Sequence, residues 1–303
     1  MLNQIVLKTL PLVPKSIVRY FAKEYIAGEE LREALNVGNM LKERGARVSI
    51  DVLGEYVTSK EQTLKDLEIR LEVIEKIKES NLDATESIKL TSLGLGLDDE
   101  FCYENTKRIV HHGKEHGVYI RIDMEDSPYH DRTLEIYKRL RDEGYDNVGL
   151  VFQACMKRTE EDIMSVIDYK PTIRLCKGIY IEPEDLAYHE FDEINYNYMK
   201  LLELLFDNDI FVGIATHDET LIQFAEMKIE EKNISKDRYE FQMLLGVREN
   251  KRYELIEKGH PLRVYVSFGE DWYGYTMRRF KENPEIAGHV FYAIFKKVFL
   301  RNP

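Results

Sequence analysis

Residues 263–283 read RVYVSFGEDWYGYTMRRFKEN. Val264, Val266 and Phe268 alternate with Tyr265 and Ser267 at a period of two, which predicts a β-strand. Gly269 closes the strand and a helix follows. On that helix Tyr275, Arg278, Arg279 and Glu282 recur at three- and four-residue spacings, so their side chains share one face. Two adjacent guanidiniums, a carboxylate one turn on and a phenol one turn back form a clamp for a small anion, because arginine grips a carboxylate with parallel N–H donors. A solvated, salt-bridged helix surface has the same spacing, so this unit alone leaves both readings open.

Working back along the chain, the same strand-then-helix pattern recurs. Strands are expected at RVSIDVLGE (47–55), SIKLTSLG (87–94), VYIRIDMED (118–126), DNVGLVFQA (146–154), TIRLCKGIY (172–180), DIFVGIATHD (209–218), RYEFQMLLG (238–246) and RVYVSFGE (263–270). Helices are expected between them at 60–80, 98–117, 131–144, 159–169, 191–208, 219–233 and 249–259, with one more at 34–45 ahead of the first strand. Eight consecutive βα units with short turns suit a closed parallel sheet, since each right-handed crossover adds the next strand on the same side. The Val, Ile and Leu content of the strands fits a sheet covered on both faces. The expected fold is therefore α/β, a (βα)8 TIM-type barrel over residues 47–303 with additional N-terminal helices in 1–46. No repeat, low-complexity tract or linker divides it, so 1–303 reads as a single domain.

Composition narrows the partners. The chain has 303 residues, 44% of them hydrophobic, and a formal charge of −12, which speaks against a nucleic-acid partner because phosphate binding needs a concentrated basic surface. Any basic site must be local. Cys102, Cys155 and Cys176 are odd in number and lack CxxC spacing, which points away from disulfides or a zinc knuckle and toward a reducing cytoplasm. No apolar run nears the ~20 residues of a membrane span, and no cleavable signal pattern opens the chain. Two amphipathic stretches, 15–26 with Ile17, Val18, Phe21, Ala22 and Tyr25 on one side, and 286–301 with Ile286, Val290, Phe291 and Ile294 and then Lys296 and Lys297, would either pack on the domain or lie on a membrane surface.

Barrel enzymes work at the C-terminal ends of their strands. Those positions hold Glu55, Lys89, Asp123 with Glu125, Gln153, Arg174, Lys177, Tyr180, Thr216, His217, Gln242 and Tyr265. Burying each such polar group without a partner costs roughly 1 to 3 kcal/mol, so a shared ligand explains them together. GLGLDDE at 94–100 lacks the third glycine of a dinucleotide fingerprint and carries acids that would repel a pyrophosphate, so it reads as a turn. His111, His112 and His116 fall on a surface helix and the first strand has no histidine pair, which disfavours a metal-dependent barrel hydrolase; His217 and Asp218 alone do not hold a metal. Lys89 or Lys177 could instead carry a Schiff base, the mark of a lyase on the same barrel.

The segments VLGE at 52, SIKLTSLG at 87, IDMED at 122, LVFQACMKR at 150, IRLCKGIY at 173, IATHD at 214, YEFQMLLG at 239, YVSFGEDW at 265 and YTMRRFKEN at 275 resemble, in order, those of the proline dehydrogenases. The length is similar to the monofunctional bacterial form, without room for the aldehyde dehydrogenase module that some relatives carry. This resemblance implies FAD-dependent oxidation of L-proline to 1-pyrroline-5-carboxylate, the first step of proline catabolism to glutamate. Electrons would pass to a membrane quinone, with pyrroline-5-carboxylate dehydrogenase as a functional partner. The enzyme would be cytoplasmic and peripheral at the inner face of the membrane. Hydroxyproline is the alternative substrate; the bulk of Tyr265 should crowd a ring hydroxyl.

By the same resemblance Lys89, Arg278 and Arg279 bind the substrate carboxylate, and Tyr265, Tyr275 and Leu175 pack around its ring. Arg174 would sit by the flavin's hydride-accepting nitrogen, and Glu55 would pair with Arg278 to close the site. Asp123, Met124, Val151, Gln153, Arg174, Lys177, Gly178, Ile179, Thr216, His217, Gln242 and Glu282 fall where the family holds FAD. Departures are modest: Ile179 and Ile181 replace a frequent alanine and tryptophan, Asp218 a common asparagine, and Ser267 a frequent proline.

Overall fold

The structure is a computed structural model that describes residues 18, 19 and 22–282, with backbone alone for 278–282. Eight parallel strands close into one barrel in sequence order, β1 hydrogen-bonding to both β2 and β8. They are β1 (Arg47–Val52), β2 (Ala84–Ile88), β3 (Tyr119–Ile122), β4 (Val148–Gln153), β5 (Thr172–Cys176), β6 (Phe211–Ala215), β7 (Tyr239–Leu244) and β8 (Leu262–Phe268). Helix α1 (Leu31–Glu43) precedes the barrel, and α2 (Lys60–Glu79), α3 (Asp99–His116), α4 (Ser127–Asp142), α5 (Thr159–Met164), α6 (Phe191–Asp207), α7 (Glu219–Glu231), α8 (Glu249–Glu257) and α9 (Trp272–Glu282) follow the successive strands. The (βα)8 expectation is met.

Strand alternation divides the residues of the sheet. Ile50, Ile88, Ile120, Ile122, Leu150, Phe152, Ile173, Val212, Ile214, Phe241, Val264 and Val266 are buried and join one continuous apolar core with the helices. The inward positions are unusually polar. Low in the barrel, Arg263 pairs with Glu240 at 2.6 Å and donates to the Val48 carbonyl at 2.7 Å. Arg121 donates to the Leu150 carbonyl at 3.0 Å, and burial pulls its pKa down to about 10. Saturated polar pairing of this kind is what allows charges to fill a barrel interior.

Three local expectations need correction. SIKLTSLG is strand only in its first two residues: β2 runs from Ala84 to Ile88, and Leu90–Leu93 form a 3-10 turn that ends at Gly94 with φ 103°. The hydroxyl of Ser92 takes the Lys89 carbonyl at 2.8 Å and the Thr91 amide goes to Glu125, so side chains compete away the ladder bonds a strand needs. The helix expected at 159–169 breaks after Met164, where Ser165 Oγ takes the Asp162 carbonyl at 2.8 Å. Helix α4 starts at Ser127 rather than at residue 131, because Pro128 fits its first turn. Of the stretch 15–26, Val18, Ala22, Tyr25 and Ile26 are buried in the protein, while Lys15, Ile17 and Phe21 lie outside the described residues, as does 286–301. Among the described residues no helix is long and apolar enough to cross a membrane.

Candidate active site

Asp123, just past β3, is the pivot of the barrel's C-terminal mouth. Its carboxylate accepts from Arg174 Nη1 of β5 at 2.6 Å and from the Tyr265 hydroxyl of β8 at 2.8 Å, and lies 3.6 Å from Lys89 Nζ. Arg174 continues to Gln242 of β7 at 2.6 Å and to Ser87 of β2 at 3.1 Å, and its guanidinium lies 5.0 Å from the centre of the Tyr265 ring. Lys89, directly after β2, pairs with Asp51 of β1 at 2.7 Å, and Asp51 also accepts from Ser267 of β8 at 3.0 Å. Side chains from β1, β2, β3, β5, β7 and β8 thus form one hydrogen-bonded ring.

Burial opposes the charge on Lys89, but Asp51, Asp123 and Glu55 outweigh it and hold the amine protonated well above the ordinary lysine range. A Schiff-base lysine needs the reverse, a depressed pKa and a free lone pair. Lys89 is therefore a fixed cation, and the lyase reading loses its best candidate. Tyr265, enclosed and faced by Asp123 and Asp51, is pushed far above the usual phenol range and stays a donor.

A second group flanks the ring at β4 to β7. Lys177 Nζ meets Asp218 at 2.5 Å and lies 3.9 Å from the centre of the Phe191 ring. Burial would raise the Asp218 carboxyl, yet bonds from Lys177 and Asn195 bring it below its ordinary value. His217 Nε2 accepts the Leu244 amide at 2.9 Å, so the neutral ring carries its proton on Nδ1. The amide of Gln153 donates to the Glu125 carbonyl at 2.9 Å. Met124, Val151 and Thr216 are buried alongside, and Ile179 is half exposed.

The chain matches the family model described as proline dehydrogenase over residues 34–291. It is 37% identical to proline dehydrogenase 2 of Bacillus subtilis over 279 residues, 92% of each chain. It is 34% identical to the proline dehydrogenase of Deinococcus radiodurans, covering 91% of this chain and 90% of that one. The chain belongs to the proline dehydrogenase family. Its reaction is the oxidation of proline, the first step of proline catabolism, and the family is one of flavoenzymes. The fold agrees: proline utilization A from Bdellovibrio bacteriovorus, inactivated by N-propargylglycine, superposes with a TM-score of 0.82 at 24% identity, over 87% of this chain and 32% of that one.

Within this proline dehydrogenase, β5 and the residues after it fit a flavin. Gly178 has φ 105°, and a Cβ there would run into Cys155 Sγ and stand 3.0 Å from Gln153 Oε1. Only glycine keeps the backbone open at that turn. On the β4–β7 side Arg174, Lys177, Gln153 and Gln242 supply cationic and amide donors, with Asp218 paired to Lys177, while Asp51 and Asp123 flank Lys89 toward β1–β3. Tyr275 is buried on α9, and Arg278, Arg279 and Glu282 follow on the same helix, their side chains outside the described residues. Leu175 is fully buried between Arg174 and Cys176, and alternation turns it away from Arg174. Asp51 and Ser267 belong to the ring but were absent from the sequence inventory. A carboxylate inside the apolar run VSIDV, two residues from Ser49 on the inward face, was the available signal.

Proposed function

We propose that this proline dehydrogenase binds FAD across the β4–β7 side of the mouth and proline over the β1–β3 and β8 side. One domain carries both. Arg174, Lys177, Gly178, Gln153, Gln242, Thr216 and His217 would hold the cofactor, with Asp123, Met124, Val151, Ile179 and Glu282 completing its surroundings. The flavin, when bound, supplies the acceptor for the hydride leaving the ring carbon beside the proline nitrogen. The protein's part is positioning and charge. Lys89, Arg278 and Arg279 would take the substrate carboxylate, and Tyr265 and Tyr275 would flank the ring.

The observation that carries this reading is the Asp123 carboxylate, bound at once to Arg174 at 2.6 Å and to Tyr265 at 2.8 Å. A cation for the cofactor and a phenol for the substrate are set against each other by one anion, which is preorganisation. With its hydroxyl held by Asp123, Tyr265 would crowd an added ring hydroxyl, which supports proline over hydroxyproline. Glu55 acts electrostatically on Lys89 and Tyr180, which supports a closure of the site over substrate through pairing with Arg278. We assign the electron acceptor to a membrane quinone. The next enzyme would be a pyrroline-5-carboxylate dehydrogenase, a link in keeping with the 27% identity to the bifunctional PutA of Klebsiella aerogenes over 93% of this chain and 25% of that one. The test is to denature the purified protein and identify the released chromophore. FAD supports the assignment; FMN or no flavin overturns it.

A further inference from the structure

The last turn of α3 carries His112, Glu115 and His116, and one ligand atom of each lies within 4.8 Å of the others. The two imidazoles lie with centroids 4.1 Å apart, their planes tilted by 48°. His116 Nδ1 is 2.9 Å from the His112 carbonyl oxygen; a neutral ring donates there, which leaves the lone pair on Nε2. This is the orienting bond that metal-binding histidines use. From the neighbouring helix, Glu75 of α2 brings a carboxylate oxygen to 3.3 Å from His112 Nε2. That nitrogen is buried and makes no hydrogen bond of good geometry. Nδ1 of the same ring is 3.9 Å from Glu115.

We propose that His112, Glu115 and His116 bind one late first-row divalent cation of the zinc class, with the Glu75 carboxylate of α2 set against the His112 ring. Imidazole nitrogens with carboxylates are its preferred ligands, and a histidine pair one helical turn apart presents both nitrogens to one point. The cation would tie α2 to α3. Both helices end shortly before their following strands begin, Glu79 before Ala84 and His116 before Tyr119, so the site lies at the N-terminal face of the barrel. Residues at that face govern stability, and catalysis works at the opposite one. The metal is accordingly a clamp and takes no part in proline oxidation.

The test is calorimetric titration of Zn2+ into the flavin-loaded, chelator-stripped protein, followed by thermal melts with and without the metal. One Zn2+ per chain is expected. With free metal about 100-fold above Kd the melting temperature should rise by roughly 5 °C or less, with proline turnover unchanged. His116→Ala should weaken binding at least tenfold, and Glu75→Gln should weaken it and remove most of the thermal gain. Absence of saturable binding, or unchanged affinity in His116→Ala, overturns the site. Full thermal gain in Glu75→Gln overturns the clamp.

Discussion

Glu125, two residues past Asp123, has 2% of its surface exposed and accepts both the amide of Thr91 at 3.0 Å and its hydroxyl at 2.5 Å. Burial pushes its carboxyl up to about 7, the two Thr91 bonds and Lys89 pulling back and Glu55 adding to the rise. An unfolded glutamate titrates near 4.3. Between those values the folded protein keeps a proton that the unfolded chain has lost, so stability must fall as pH rises through that window and level off above it. A shift of roughly 2.5 units corresponds to about 3 kcal/mol. Glu125→Gln imitates the protonated acid in size and hydrogen bonding but does not ionise. Urea unfolding of both proteins at fixed, saturating flavin, from about pH 5 to about pH 8, isolates this group from all the others, since their contributions cancel in the difference. The variant should gain on the native protein as pH rises, by up to about 3 kcal/mol near neutrality, and the gain should then stay flat. A difference that does not change with pH across the window refutes the argument.

Asp123→Asn removes the anion shared by Arg174 and Tyr265, and the loss of two charge-assisted bonds should lower kcat/KM for proline by roughly ten- to a hundredfold in steady-state assays. Unchanged kinetics would show that the ring does not organise the site. Gly178→Ala forces a side chain onto a backbone at φ 105° against Cys155, and it should lower both the unfolding free energy in urea, by roughly 1 to 3 kcal/mol, and the flavin retained per chain after dialysis. Tyr265→Ser should raise turnover of hydroxyproline relative to proline by about tenfold or more, measured as a ratio of kcat/KM values; no change in the ratio would clear Tyr265 of the specificity role.

The barrel was legible because its signal is repeated: hydrophobic runs such as VGLVFQ and FVGIA alternate with helices closed by Gly and Asp. Its strand ends followed from the same pattern, which is why Asp123, Arg174, Gln242 and Tyr265 could be named as neighbours although up to 142 residues separate bonded partners. What stayed hidden was bonding by side chains to backbone. Nothing in the periodicity of SIKLTSLG says that Ser92 and Thr91 will turn the chain into a 3-10 element, since apolar spacing there suits a strand equally well. Asp51 escaped for a related reason: a lone acid within an apolar strand gains its meaning only when closure of the barrel brings Lys89 and Ser267 to it.

The account as a whole rests on proline giving up two electrons to a flavin seated at this mouth. An anaerobic titration of the purified protein with L-proline, followed in the visible spectrum, reads that transfer directly. A yellow protein whose absorbance bleaches in proportion to added proline, and whose Asp123→Asn variant bleaches far more slowly, is the predicted result. A colourless protein, or a flavin band that proline leaves untouched, contradicts it.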